Sequence, residues 1–173
     1  YSSLKQKRVA LNNVWKMYFL QSEPQVKDTF TLQKLHSWTE LNHSNLKINA
    51  GTAAYETTFE FNAADLNKQV YLHLGDVRES ARVFLNGKEA GVVWAAPFEI
   101  DLSGLLIAGK NKLRIEVTNL PANRIADYDR RGVNWKIFNE INIVNIGYKP
   151  PYYANWETVP SGLCSEVELR IGE

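Results

Sequence analysis

The chain has 173 residues, 45% of them hydrophobic, and a formal net charge of +1. This composition is typical of one globular domain, and so small a charge gives no electrostatic reason to expect a nucleic acid or an anionic membrane surface as partner. No apolar run approaches the ~20 residues that a membrane span needs. The single cysteine, Cys164, excludes an internal disulfide and a cysteine-based zinc site.

The first twelve residues differ from the rest of the chain. They are polar, include Lys5, Lys7 and Arg8, and begin with neither an initiator methionine nor a signal peptide. We therefore expect a mature or excised piece of a larger protein. Residues 1–12 are predicted to be a linker or N-terminal extension, and residues 13–173 a single β-sandwich domain.

Apolar and polar residues alternate over much of the remaining sequence. A period of two predicts strands with one buried and one solvated face. The clearest examples are residues 53–61, 70–74, 112–118 and 166–171. Each is short, which favours an all-β fold built from many strands.

Turn signals separate these strands. Asn86-Gly87 supplies the two positive φ angles of a type I′ turn and predicts a hairpin between the segments 83–85 and 88–93. A second turn is expected at 108–111. Turns at intervals of roughly ten residues are typical of a sandwich.

Residues 119–160 break the pattern, because they contain four prolines and many aromatic residues. A connection much longer than about 15 residues is usually functional or docked on a neighbour. We predict a long aromatic loop here, with one short helix within residues 133–141.

Several motifs follow one another in a characteristic order. They are Ser37-Trp38-Thr39-Glu40, Gly51-Thr52-Ala53-Ala54-Tyr55, Leu74-Gly75-Asp76-Val77-Arg78-Glu79-Ser80-Ala81, Leu85-Asn86-Gly87-Lys88, Gly91-Val92-Val93-Trp94, Pro97-Phe98-Glu99-Ile100-Asp101-Leu102, Gly109-Lys110-Asn111-Lys112-Leu113, Val117-Thr118-Asn119 and Ser161-Gly162-Leu163. The series resembles the sugar-binding-like jelly roll of glycoside hydrolase family 2, a galactose-binding-domain-like β-sandwich. It looks closer still to the C-terminal β-domain of bacterial family 106 rhamnosidase-type glycosidases.

The resemblance runs from about residue 13 to the C-terminus, with one departure. The family usually reads Ser-Gly-Leu-Leu-Gly-Pro-Val near the end, whereas residues 163–167 read Leu-Cys-Ser-Glu-Val. The resemblance implies an all-β jelly-roll module of a secreted or periplasmic bacterial carbohydrate-active enzyme. It also implies that the catalytic carboxylates lie on another domain of the same polypeptide, so that this domain is not an enzyme by itself.

The aromatic loop contains the residue types of a carbohydrate site. Sugars present flat apolar faces and rings of hydroxyls, which suit aromatic platforms flanked by charged side chains. The candidate carbohydrate-binding residues are Trp135, Trp156, Tyr152, Tyr153, Arg130, Arg131, Asp127 and Asp129. The same residue types also form domain interfaces, and Trp135, Phe138 and Trp156 could instead cover one face of the sandwich.

Other chemistry has weaker support in the sequence. Glycoside hydrolysis needs two carboxylates, and the loops carry Asp76, Glu79, Asp127, Asp129, Glu140 and Glu157, for which surface and turn roles are the simpler interpretation. Arg78 is expected to form an ion pair with Asp76 or Glu79. The three histidines match no common zinc spacing. Jelly rolls of this kind often hold a structural calcium ion, and Asp127, Asp129 and Asn123 offer oxygen ligands without a full calcium-loop signature.

Three functions therefore remain open. The first is a non-catalytic carbohydrate-binding or accessory module, whose partners would be a polysaccharide or oligosaccharide and the catalytic domain. The second is a purely structural interdomain module without a ligand, and the third is a small glycosidase that uses loop carboxylates.

Among the other tryptophans, Trp15 and Trp38 are expected in the core, and Trp94 is expected to be the most exposed of the three.

Overall fold

The computed structural model describes residues 6–136, 147 and 151–172. Two antiparallel sheets pack face to face, and within these residues one α-helix lies beside the larger sheet. The prediction of an all-β sandwich is confirmed.

The larger sheet has six strands in the order β3-β2-β4-β10-β7-β8. Its strands are β2 (Trp15–Glu23), β3 (Thr29–Leu32), β4 (Ala50–Phe61), β7 (Ser80–Leu85), β8 (Lys88–Val93) and β10 (Gly109–Thr118). The long strands β4 and β10 pair over their whole length, from Gly109 opposite Phe61 to Thr118 opposite Thr52. This central pair sets the register of the sheet, because a slip by one residue would turn the apolar side chains outward.

The smaller sheet has four strands in the order β1-β12-β5-β9. They are β1 (Gln6–Ala10), β5 (Val70–His73), β9 (Glu99–Asp101) and β12 (Glu168–Gly172). A third, two-stranded sheet pairs β6 (Val77–Arg78) with β11 (Gly162–Leu163). Short 3₁₀ turns occur at Trp38–Glu40, Ser44–Ile48 and Ala63–Asp65.

The core lies between the two large sheets and consists of the residues that alternate inward. Trp15, Met17, Trp38 and Tyr55 are almost completely buried, and Phe19 meets Trp38 edge to face with ring centroids 5.1 Å apart. Each such side chain contributes about 1.5–3 kcal/mol through burial of apolar surface. The expected core positions of Trp15 and Trp38 are confirmed, as is the exposure of Trp94.

The N-terminal segment is not a linker throughout. Residues 6–10 form strand β1, which pairs antiparallel with β12 from Gln6 opposite Gly172 to Ala10 opposite Glu168. The side chains of β1 are mostly exposed, so apolar and polar residues do not alternate clearly along it. The strand is held mainly by main-chain hydrogen bonds to β12, which the sequence pattern does not show. Leu11, which follows it, is buried in the core.

The predicted hairpin is confirmed. Asn86 and Gly87 have φ angles of 51° and 82° and join β7 to β8. Both angles lie in the left-handed region that a type I′ turn requires. Asn86 is also held by its side chain, which donates to Asn111 Oδ1 at 2.9 Å and accepts from the Lys112 amide at 2.9 Å.

The aromatic segment contains a helix, but not where the sequence predicted it. Helix α1 spans Ala122–Arg130, whereas residues 133–136 are not helical and residues 137–141 lie outside the described residues. The helix ends in a Schellman motif at Gly132, whose φ is +65°. The Gly132 amide donates to Asp129 O at 3.1 Å and the Val133 amide to Tyr128 O at 2.9 Å.

Candidate functional site

Helix α1 is joined to the sandwich by buried polar side chains. At the end of β10, Asn119 accepts from the Gly51 amide at 2.9 Å and donates to Asn49 O and Ser161 Oγ, both at 3.0 Å. At the second residue of the helix, Asn123 donates to Val159 O and accepts from the Val159 amide, both at 2.8 Å. These two asparagines therefore fix both ends of the aromatic segment.

Asp127 lies at the centre of an ion-pair group on the helix. Its Oδ2 accepts hydrogen bonds from Arg124 Nη1 and Arg131 Nε, each at 2.9 Å. Arg124 also pairs with Glu23 on β2, and both arginines stack over the ring of Tyr128, at 4.4 and 5.6 Å from its centroid. Asp127 is buried, and its two cations compensate its charge.

Asp129 holds the returning chain against the end of the helix. Its Oδ1 accepts from Trp135 Nε1 at 2.7 Å and its Oδ2 from the Tyr153 amide at 2.6 Å. The hydrogen bond from the Tyr153 amide, followed by that from the Trp135 indole, lowers the pKa of Asp129 below its usual value. Burial acts in the opposite direction but is outweighed, so Asp129 is a carboxylate at neutral pH.

Four side chains form what we call the aromatic cluster: Trp135, Tyr152, Tyr153 and Trp156. The ring of Tyr153 lies 4.4 Å from that of Trp156 and 6.3 Å from that of Trp135, centroid to centroid. Tyr152 is 65% exposed and Trp156 is 47% exposed. The inner part of the cluster, Trp135 and Tyr153, is held by the hydrogen bonds to Asp129. Its outer edge, Tyr152 and Trp156, is exposed.

A cation lies over the inner part of the cluster. Lys136 Nζ is 5.4 Å from the ring centroid of Trp135 and 5.7 Å from that of Tyr153. It donates a hydrogen bond to Pro151 O at 2.5 Å. The sequence prediction missed Lys136, although its position directly after Trp135 was visible.

The structure brings most of the predicted site residues together but gives them different roles. Asp127 and Asp129 are buried and bonded to their own segment, so they position other groups and are not open to a ligand. Arg130 is exposed, and Arg131 keeps half of its side chain in solvent despite its pairing. Phe138 and Tyr148, which the sequence placed in the same loop, lie outside the described residues.

The predicted calcium ligands do not fit a calcium ion. Oδ2 of Asp127, both carboxylate oxygens of Asp129 and the side-chain oxygen of Asn123 already accept hydrogen bonds from protein donors, and two arginines pair with Asp127. Among the described residues, no group of three or more His, Cys, Asp or Glu side chains could hold a metal ion.

Arg78 and Cys164 have structural surroundings that explain them without a ligand. Arg78 forms a two-pronged ion pair with Asp76, with nitrogen–oxygen distances of 2.7 and 2.9 Å, as the sequence suggested. Burial, followed by the nearby Asp76 carboxylate, raises the pKa of the Cys164 thiol to about 11, which makes the thiol unreactive near neutral pH. Glu140, one of the loop carboxylates, is outside the described residues.

No helix in the described part of the chain is long and apolar enough to cross a membrane.

Comparison with known proteins defines the class as a galactose-binding-like β-sandwich of glycosidases. The chain belongs to the family described as "Glycosyl hydrolase 2 galactose-binding domain-like", whose sequence profile matches residues 25–164. The family resemblance seen in the motifs is therefore confirmed.

Among the relatives is a Formosa agariphila protein named "Putative beta-glucuronidase", which is 32% identical over 157 residues, or 80% of this chain and 13% of that protein. The fold is similar to part of a rhamnosidase from Novosphingobium sp. PP1Y, with a TM-score of 0.78 and 24% identity over 99% of this chain and 16% of that one. A β-D-glucuronidase from Dictyoglomus thermophilum gives a TM-score of 0.67 and 19% identity over 99% of this chain and 29% of its own. The chain thus spans less than a third of each relative.

Proposed function

We propose that this domain is a non-catalytic accessory module of a glycoside hydrolase and that it binds carbohydrate through the aromatic cluster. The observation that carries the proposal is the pair of exposed rings, Tyr152 and Trp156, on a base fixed by Asp129. A fixed aromatic surface suits a sugar face, because stacking gains contact area without ordering a flexible side chain.

Cations on the same segment supply the polar half of the site in this proposal. Arg130 and Arg131 have exposed side chains at the end of helix α1, and Lys136 lies over the neighbouring rings. Each can donate to sugar hydroxyls or to a sugar carboxylate. Since a few hydrogen bonds exchanged with water yield little net energy, we expect a dissociation constant on the order of mM for one sugar unit.

The catalytic step belongs to another part of the polypeptide in this proposal. The carboxylates at positions 76, 127 and 129 are engaged in ion pairs or hydrogen bonds within the domain, which disfavours the small-glycosidase alternative. The relatives are several times longer than this chain, so there is room for a separate catalytic domain. A secreted or periplasmic bacterial enzyme is the expected setting, and rhamnose- or glucuronate-containing glycans are the first substrates to consider.

One observation favours the second candidate, a structural interdomain module. Asp127 and Asp129 accept hydrogen bonds from their own segment, so they are not free to accept hydrogen bonds from the hydroxyls of a sugar. Exposed aromatic rings with an arginine at the rim are also common at domain interfaces.

Titration of the isolated chain with rhamnose- and glucuronate-containing oligosaccharides, followed by tryptophan fluorescence, separates these candidates. We expect a saturable change that Trp156→Ala or Tyr152→Ala weakens about 3–10-fold. Trp94→Ala is the matched control, because Trp94 is 78% exposed but lies outside the cluster.

Absence of saturable binding across the panel would overturn the carbohydrate proposal. Protection of residues 151–157 from hydrogen exchange in the complete enzyme, relative to the isolated chain, would then support the interdomain role.

A further inference from the structure

A second concave surface lies away from the aromatic cluster. It is a groove of about 690 Å³ between three connections: β1 to β2, the chain after β3, and β11 to β12. Its apolar lining includes Leu11, Trp15 and Leu35, and its polar lining includes Asn12, Asn13 and Gln33. This volume falls within the range of small-molecule sites.

The floor of the groove is apolar and firmly packed. Leu11, Trp15 and Leu35 are 4%, 1% and 6% exposed and belong to the main core. One wall is fixed as well, because Ser165 Oγ accepts a hydrogen bond from the Asp76 amide at 2.6 Å. The groove is therefore pre-formed, and a ligand would not have to order it.

The rim is rich in amide side chains that the fold does not use. Asn12, Asn13 and Gln33 are exposed, and their side chains make no hydrogen bond to any residue that the structure describes. A primary amide offers two donors and one acceptor oxygen. Three such groups match the hydroxyls of a sugar ring, which both donate and accept hydrogen bonds.

The charge at the rim favours an uncharged ligand. Lys34 and Glu166 both line the groove and have opposite signs, so the rim has no net charge to select a carboxylate or a phosphate. This contrasts with the aromatic cluster, where the ammonium group of Lys136 lies over the rings of Trp135 and Tyr153.

The groove and the helix that precedes the aromatic cluster contact different ends of one strand. Strand β2 begins at Trp15 in the groove and ends at Glu23, which pairs with Arg124 on helix α1. Eight residue steps of about 3.3 Å separate Trp15 from Glu23 by roughly 26 Å.

We propose that the groove is a second carbohydrate-binding site that takes a single neutral sugar unit through the amides of Asn12, Asn13 and Gln33. The proposal rests on the domain being a carbohydrate module but does not depend on the aromatic cluster being its site. Two sites at opposite ends of a strand would let one module hold two chains, or two points of one chain, which raises the avidity for a polysaccharide.

The test is a titration of the ¹⁵N-labelled chain, followed by NMR, with methyl glycosides of rhamnose, galactose and glucose up to about 50 mM, since affinities on the order of mM are expected. The side-chain amide signals of Asn12, Asn13 and Gln33 should shift saturably with at least one neutral glycoside. Glucuronate should bind the groove more weakly than that glycoside does. The indole signal of Trp156 reports the aromatic cluster separately.

Substitutions make the assignment specific. Asn13→Ala and Gln33→Ala should each weaken groove binding about 2–10-fold, the loss of one hydrogen bond, while Asn67→Ala, an exposed asparagine elsewhere, should not. The dispersion of the spectrum shows whether each variant is folded. Groove signals that do not shift with any neutral glycoside would overturn this proposal, whatever Trp156 does. Shifts at the groove but not at Trp156 would instead overturn the aromatic site and leave the groove intact.

Discussion

The sandwich and the aromatic segment are held together by different forces. Between the sheets, buried apolar side chains such as Trp38 and Tyr55 dominate. In the segment formed by residues 119–136 and 151–161, buried polar side chains make the decisive contacts, each with a few particular partners: Asn119, Asn123, Arg124, Asp127 and Asp129.

This difference determines how each region responds to change. Apolar burial is nearly proportional to area and tolerates the exchange of similar side chains. A buried hydrogen-bond network does not, since removal of one partner leaves the other unsatisfied. We therefore expect the sandwich to unfold as a whole and the aromatic segment to unfold locally.

The largest effect is expected at Gly162, where the two regions meet. An added Cβ would lie 2.3 Å from Tyr55 Oη and 2.7 Å from Trp38 Cε3, and φ is +98°. Overpacking costs about 1–3 kcal/mol and the left-handed backbone about 1–2 kcal/mol more. Gly162→Ala should therefore lower the free energy of unfolding by about 2–5 kcal/mol in urea denaturation.

Gly87→Ala is the matched control for this substitution. Gly87 also has a positive φ, +82°, but an added Cβ would meet nothing within 4 Å. The free energy of unfolding of Gly87→Ala should therefore fall by only about 1–2 kcal/mol, the cost of backbone strain. Equal losses for the two variants would show that packing around Trp38 does not restrict Gly162.

The next effect is expected at Asn119, the polar link between the sandwich and the segment. Asn119→Ala removes one acceptor and two donor contacts, and it leaves the buried Asn49 carbonyl and Ser161 hydroxyl without this partner. We expect a loss of about 1–3 kcal/mol in the free energy of unfolding. The exposed Asn67→Ala should change it by less than about 0.5 kcal/mol. A loss at Asn119 as small as that at Asn67 would contradict the role of this link.

The sequence predicted the sandwich well because its signals are periodic. Alternation located strands β4, β5, β10 and β12, and Asn86-Gly87 located one hairpin. Strand β1 was missed, since an exposed edge strand shows no alternation and depends on pairing with a distant segment.

For the aromatic segment, the sequence predicted which residue types are present but not how they contact one another. Its residue types were visible, but the sequence could not show that Asp129 turns to its own segment, because its contacts with Trp135 and Tyr153 form only in the folded chain. The helix had one usable signal. Gly132 after Arg130 and Arg131 is a typical helix C-terminus and would have placed the helix before residue 132.

A smaller, local effect is expected for Asp129→Asn. The amide keeps the size of the side chain but has one acceptor oxygen, so either the Trp135 indole or the Tyr153 amide loses its partner. Hydrogen exchange at the Tyr153 amide should accelerate several-fold, while the urea midpoint of the sandwich stays unchanged. Asp127→Asn, which leaves both Asp129 contacts intact, should not accelerate this exchange. Global unfolding of Asp129→Asn would show that the segment and the sandwich form one cooperative unit.

The smallest effect is the acid titration of the same carboxylate. Hydrogen bonds from Tyr153 and Trp135 lower the pKa of Asp129 in the folded protein, so the segment is stabilised at pH values above the unfolded pKa of about 3.9. This stabilisation is lost as the pH falls through the lower, folded pKa. The Trp135 indole signal in ¹⁵N NMR spectra should therefore stay constant down to about pH 4 and then titrate below that value, and the step should be absent in Asp129→Asn. A midpoint at or above the ordinary aspartate value would contradict these hydrogen bonds, and with them the idea that Asp129 fixes the aromatic cluster.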